Sequence, residues 1–130
     1  EEPPDAVRLM RSRFAAYALG ELAYLWRTLD PEHPDRNQSE TAFLQALRRS
    51  RALKFVRLRV LDHDEDPSAG RARVLFHAEI YEAGKERSFA ELSTFYKRVA
   101  GWRYASGVTA TLLADDPALA SLTIATYRAT

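Results

Sequence analysis

Residues 9–19 read LMRSRFAAYAL. At about 100° per residue, Val7, Met10, Phe14 and Tyr17 fall on one stripe, so the stretch predicts an amphipathic helix that has to find an apolar partner. Arg11 and Arg13 land on opposite borders of that stripe, while Arg8 and Ser12 point away from it. Two cations edging an apolar face raise the question of what they meet. An arginine buries its stem against a core while its guanidinium reaches a carboxylate at the rim.

Working outward, Pro3-Pro4 cannot sit inside a helix, Asp5 is a good N-cap, and Gly20 supplies the left-handed position after Leu19. A second helix follows, with Leu22, Leu25, Trp26 and Leu29 on one face and Pro31 and Pro34 preventing continuation. Asn37 and Glu40 match a capping box for a short third helix carrying Phe43, Leu44 and Leu47, which ends in the basic stretch RRSR at 48–51, placed to suit the helix dipole.

From Ala52 the period changes to two. Val56, Leu58 and Val60 alternate with Arg57 and Arg59, which predicts a half-buried strand. DHDEDPSAG at 62–70 reads as a loop. A second strand follows, with Val74, Phe76, Ala78 and Ile80 on one face and His77, Glu79 and Tyr81 on the other. AGKE at 83–86 is a hairpin turn around Gly84. SFAELSTFYKRV is a third strand, Ala100-Gly101 a tight turn and WRYASGVTATLL a fourth. Helices first and an antiparallel meander after them define an α+β domain of about four strands with the helices covering one face of a curved sheet. The segment 114–130 combines an Asp116-Pro117 start signal with β-branched residues and is expected to be a short helix.

The 130 residues fit a single domain spanning 1–130. With 19 Lys+Arg against 18 Asp+Glu the charge is +1, so neither nucleic acid nor an anionic membrane is an expected partner. The absence of cysteine removes disulfides, thiolate zinc sites and cysteine nucleophiles. No apolar run is long enough to span a bilayer, and the start EEPPD is acidic where a secretory leader is basic and then apolar, so the expected compartment is the cytoplasm.

The run LMRSRFAAYALGELAYL, followed by RTLDP, an aromatic-led strand at Phe55, a hairpin, then ELSTF and GWRYASG, resembles the bacterial YchJ-type proteins over about Val7 to Gly107. The resemblance implies the nuclear transport factor 2-like, or cystatin-like, fold, in which helices pack into the mouth of a curved antiparallel sheet to make a cone. Several positions depart from the family. Its proteins usually carry cysteine-rich SEC-C zinc motifs at their ends, and this sequence has no cysteine. Its Trp-His-Pro is here Leu29-Asp30-Pro31. Its His-Glu-Arg-Ser-x-Phe strand is here Ala90 to Phe95, which keeps Glu91 and Ser93 but loses the His and the Arg. Its closing Tyr-x-Asp-Gly becomes Ala105-Ser106-Gly107. The resemblance carries no settled activity across.

Within a cone, strand three poses an anomaly. Phe89 and Phe95 share a side with Glu91 and Ser93, so burying the aromatics carries a carboxylate inward. An unpaired buried carboxylate costs on the order of several kcal/mol, and Arg11 and Arg13 are the candidates to meet it. Such a pair can simply fix helix against sheet. Alternatively, Arg11, Arg13, Tyr17, Trp26, Glu91, Ser93 and Tyr104 bind a small polar ligand. A third possibility is an enzyme of lyase, isomerase or hydrolase type with Glu91 as general base. An enclosed polar space of about 300 Å³ or more would favour a ligand, and a filled interior an interaction role.

No catalytic residue, metal ligand or cofactor is assigned. Asp62, Asp64 and Asp66 resemble the start of a calcium loop, but Pro67 stands where glycine is required and Arg73 where the coordinating glutamate belongs. His33, His63 and His77 are dispersed, and Trp26, Phe55, Phe76 and Trp102 sit at core positions. The outer sheet face, with Arg57, Arg59, His77, Glu79 and Tyr81, is a mixed polar set that can be wet or can form a modest homodimer interface. The domain is therefore expected to act as a binding or interaction module with a cavity between helices and sheet.

Overall fold

The computed structural model describes residues 1–49 and 52–128. Helix α1 spans Ala6–Leu19, with the Asp5 carboxylate accepting from the Arg8 amide and Gly20 closing the helix at φ 75°. Helix α2 spans Leu22–Arg27, and α3 spans Glu40–Arg48. The cap of α3 is Ser39, whose Oγ accepts from the Ala42 amide, rather than the expected Asn37, which closes a 3-10 turn at Pro34–Asn37. Pro34 opens that turn, its fixed φ suiting the first helical position. Of the RRSR stretch, Ser50 and Arg51 lie outside the described residues.

Five strands follow: β1 Leu53–Asp66, β2 Arg71–Glu82, β3 Lys85–Glu86, β4 Phe89–Arg98 and β5 Gly101–Thr111. They form one antiparallel sheet ordered β1-β2-β4-β5, with the two-residue β3 paired to β2. The architecture is α+β, as expected, with a small fifth strand added. The stretch read as a loop from Asp62 is strand as far as Asp66, because Asp62 to Asp66 pair with Leu75 to Arg71 across β2. Only Pro67–Ala69 turn.

Three bulges bend the sheet. Val56 and Leu61 are each the extra residue on β1, and Ala105 is the extra residue on β5. The first overturns a simple alternation: Val56 is 49% exposed, and Phe55 takes the inward position beside Leu58 and Val60. A bulge changes which face every later side chain meets, and it also increases local twist. These slips therefore curve the strands around α1.

The main core joins Leu9 and Met10 of α1 to Val74, Phe76, Ala78 and Ile80 of β2, Phe95 of β4 and Trp102 of β5. Each such buried side chain is worth roughly 1.5–3 kcal/mol relative to exposure. A second cluster, with Leu25, Leu29 and Phe43, packs the helices together. A third lies on the opposite sheet face, where Leu75 and Ala90 meet Tyr127, Leu122 and Ile124 of the C-terminal segment.

That C-terminal segment is not the expected helix. It holds a 3-10 turn at Pro117–Ala120, capped by Asp116, and then crosses the sheet irregularly, with the Tyr127 hydroxyl donating to the carbonyls of Val108 (2.8 Å) and Ala90 (3.2 Å). Within the run LTIATY the chain makes a single turn, in which the Thr126 and Tyr127 amides donate to the Thr123 carbonyl (3.1 and 2.9 Å), and β-branched residues disfavour its extension into a longer helix. Residues 129–130 lie outside the described set. His77, expected on an open polar face, is buried, its Nε2 donating to the Leu112 carbonyl at 2.8 Å. The face read as wet or as a homodimer interface is thus partly occupied by the chain's own end.

Candidate functional site

The concave side of the sheet and α1 line a half-open cavity of about 240 Å³. Its walls are mostly apolar, with Met10 and Phe14 from α1, Phe76 and Ile80 from β2, and Phe89 from β4. Four polar residues join them: Arg13, Tyr17, Glu91 and Tyr104. The space is smaller than the 300 Å³ at which an enclosed site favours a free-standing ligand.

Glu91 is 8% exposed. Its Oε2 accepts from the Tyr104 hydroxyl at 2.7 Å and from the Ser93 hydroxyl in a short bond. Both bonds go to one oxygen, and among the described residues no protein donor reaches Oε1. Strand phase explains the arrangement. Ser93 lies two residues along β4 from Glu91, on the same face, and Ala105 slips β5 by one residue so that Phe95 pairs with Tyr104 while Ser93 pairs with Gly107. Without that slip, Tyr104 would face away from the carboxylate.

Gly107 completes the fit. A Cβ there would collide with the Glu91 carboxyl group and would stand 2.6 Å from the Tyr104 hydroxyl. Glycine inside a strand often marks a close approach, and here the approaching group is the acid.

Arg13 is buried, and one of its terminal nitrogens donates to the Leu25 carbonyl (3.0 Å) and to Thr28 Oγ1 (2.6 Å). Its guanidinium carbon sits 4.7 Å from the centre of the Tyr104 ring. Arg13 therefore does not pair directly with Glu91; the tyrosine stands between them, ring to the cation and hydroxyl to the anion. Burial lowers the Arg13 pKa, opposed by Tyr17, Tyr104 and Glu91. Burial, then the charge and hydrogen bond of Glu91, push the Tyr104 phenol well above its ordinary range. The phenol stays protonated and donates its hydrogen bond to the carboxylate.

Two expected site residues lie elsewhere. Arg11 is exposed and faces an open, mixed-charge depression with Asp64, Glu65 and Arg73. It precedes Arg13 by two residues, about 200° around the helix, so only one of the two can turn inward. Trp26 packs on Phe43 with centroids 5.2 Å apart and carries the Arg36 guanidinium at 4.5 Å, inside the helical cluster. Ser93 is fully buried behind Glu91. The cavity thus gathers Arg13, Tyr17, Glu91 and Tyr104 and excludes Arg11 and Trp26.

The sequence reading missed a supporting cluster beneath the cavity. Tyr104 donates its amide to the Thr28 carbonyl (2.9 Å) and accepts from the Asp30 amide (2.8 Å), which locks the end of α2 to β5. Asp30 is almost fully buried and receives a two-pronged bond from Arg98 at 2.6 and 2.9 Å. Burial would raise its pKa, but Arg98 and the Glu32 amide outweigh that and hold it below the ordinary carboxylate value. The His33 ring stacks obliquely on Tyr104, with centroids 5.7 Å apart, and burial lowers its pKa. The only sequence signal for this cluster was the acid at the position where the family has histidine.

Among the described residues, no group of His, Asp and Glu converges to hold a metal ion. Nor is any helix of the described residues long and apolar enough to cross a membrane.

Comparison with known proteins gives a consistent picture. A UPF0225 protein of Bordetella pertussis is 34% identical over 106 residues, covering 82% of this chain and 73% of that one, and the Bordetella parapertussis protein matches equally. The solution structure of a SEC-C motif containing protein from Rhodopseudomonas palustris aligns with a TM-score of 0.62 at 35% identity, covering 76% of this chain and 73% of that one. A crystal structure of a SEC-C motif containing protein from Psychrobacter arcticus shares the fold, with a TM-score of 0.66 at 23% identity over 92% of this chain and 70% of that one. Residues 5–107 match the family described as "YchJ, middle NTF2-like domain", which takes in both helical and strand motifs and ends at Gly107. The chain belongs to the YchJ family of UPF0225 proteins, and its cone is that family's nuclear transport factor 2-like domain.

Proposed function

We propose that the domain is a binding module whose cone receives a small neutral group bearing one hydrogen-bond donor, held by Glu91 within apolar walls. The observation that carries this reading is the free Oε1 of a carboxylate lining a cavity of about 240 Å³. Its other oxygen is already occupied by Tyr104 and Ser93, so the acid is oriented before anything binds, which lowers the cost of binding. A cationic guest is opposed by the nearby Arg13 and an anionic one by Glu91, which favours a neutral donor such as a hydroxyl or amide.

Catalysis would need a second group to carry a proton onward. Among the described residues Glu91 is the only acid lining the cavity, and the Tyr104 proton is held in place by burial and by Glu91 itself. That pairing suits retention of a ligand's donor.

Butan-1-ol titrated into isotope-labelled protein tests the reading. The amides of Ala78, Phe89 and Glu91 should shift together, and Glu91→Gln should keep a dispersed spectrum while weakening binding about tenfold or more. Equal binding by both proteins, or an absence of shifts at these positions, would overturn it.

A further inference from the structure

The cavity shares a wall with a second depression. Tyr17 and Phe55, stacked with centroids 5.4 Å apart and planes 19° from parallel, line the inner cavity and also an outer groove of about 540 Å³. Leu53 borders both as well. The groove continues over Leu19, Leu22 and Leu47, and it is otherwise hard to account for, since Leu19 is 76% exposed at the end of α1. A large apolar side chain left in water beside an apolar channel is surface that a ligand can cover.

Resting on the binding role proposed above, we infer that the ligand is a linear amphiphile. Its neutral donor head sits against Glu91, and its aliphatic chain passes the Tyr17–Phe55 stack into the Leu19–Leu22–Leu47 groove. Size supports this. The inner cavity holds about eight waters' worth of liquid volume, room for a head and a short stretch of chain only. An ordinary small-molecule site needs more space, and the adjoining groove, which shares Tyr17, Leu53 and Phe55 with the cavity, supplies it. Charge supports it too. Among the described residues, the side chains lining the groove are apolar apart from Arg48 and the Tyr17 hydroxyl, while Glu91, Arg13 and Tyr104 lie at the inner end. That is the polarity of a head-inward, tail-outward ligand.

A chain-length series of primary alcohols from butan-1-ol to decan-1-ol, titrated into the whole protein, tests the inference. Beyond about six carbons each added methylene should tighten binding about two- to fourfold, and shifts should spread from Ala78 and Phe89 to Leu19, Leu22 and Leu47. Leu47→Gln, with Leu22→Gln as an independent second variant, should reduce the ratio of decanol to butanol affinity at least threefold. A plateau or decline beyond hexan-1-ol, with Glu91-dependent butanol binding intact, would overturn the amphiphile and leave the small-ligand reading standing. If butan-1-ol itself binds without regard to Glu91, the underlying reading fails instead.

Discussion

The hydroxyl of Tyr104 donates to Glu91 at 2.7 Å while the ring of the same residue carries the Arg13 guanidinium at 4.7 Å. The guanidinium and the carboxyl group are thereby held by one aromatic side chain, the first over its ring and the second at its hydroxyl, without touching each other. Tyr104→Phe keeps the ring under Arg13 but removes the donor. It should destabilise the fold by about 1–3 kcal/mol, read as a lower denaturant midpoint with an unchanged slope. An unaltered midpoint would mean the hydroxyl contributes nothing to holding the acid.

Gly107→Ala places a methyl against the Glu91 carboxyl group and the Tyr104 hydroxyl. Overpacking of this kind costs about 1–3 kcal/mol. Shortening the acid should relieve it, so Gly107→Ala combined with Glu91→Ala should be more stable than the sum of the single effects implies, by about 1 kcal/mol or more in a double-mutant cycle. Simple additivity would show that the two positions do not meet.

Arg13→Met leaves the Leu25 carbonyl and Thr28 Oγ1 without their buried donor, at about 1–3 kcal/mol for each group stranded. Arg13→Lys keeps the charge but has no planar group to lie over the Tyr104 ring while reaching both acceptors. Lysine should therefore recover less than half of the loss in chemical denaturation. Full recovery would reduce the role of Arg13 to charge alone.

How far the sequence foretold this site depended on local phase. The α1 stripe and the β4 alternation brought Glu91, Ser93 and the cavity aromatics to one side, because period alone decides facing within an unbroken element. Where elements slip, foresight failed: the extra residue at Val56 turned that valine outward. Arg11 and Arg13 looked equivalent on a helical wheel, and only the position of β5 and α2 selects Arg13. The Asp30–Arg98 bridge joins residues 68 apart in sequence, and no local pattern announces such a contact.

Asp30 makes stability sensitive to acid. Its folded pKa lies below the ordinary unfolded value near 3.9, so the carboxylate contributes fully above that pH, and the contribution falls away as pH drops through the lower folded value. Asp30→Asn should lose about 1–3 kcal/mol at pH 7 and show a shallower decline than the parent as the pH falls below about 4. Parallel curves would place the acid response elsewhere.

A crystal structure of the protein soaked with octan-1-ol tests the central claim most directly. The hydroxyl should lie within hydrogen-bonding distance of Glu91 Oε1, with Tyr104 and Ser93 still on Oε2 and the chain leaving past Tyr17 and Phe55. An alcohol bound only elsewhere, or a Glu91 side chain turned out into solvent with the cavity closed by its own aromatics, would contradict the account.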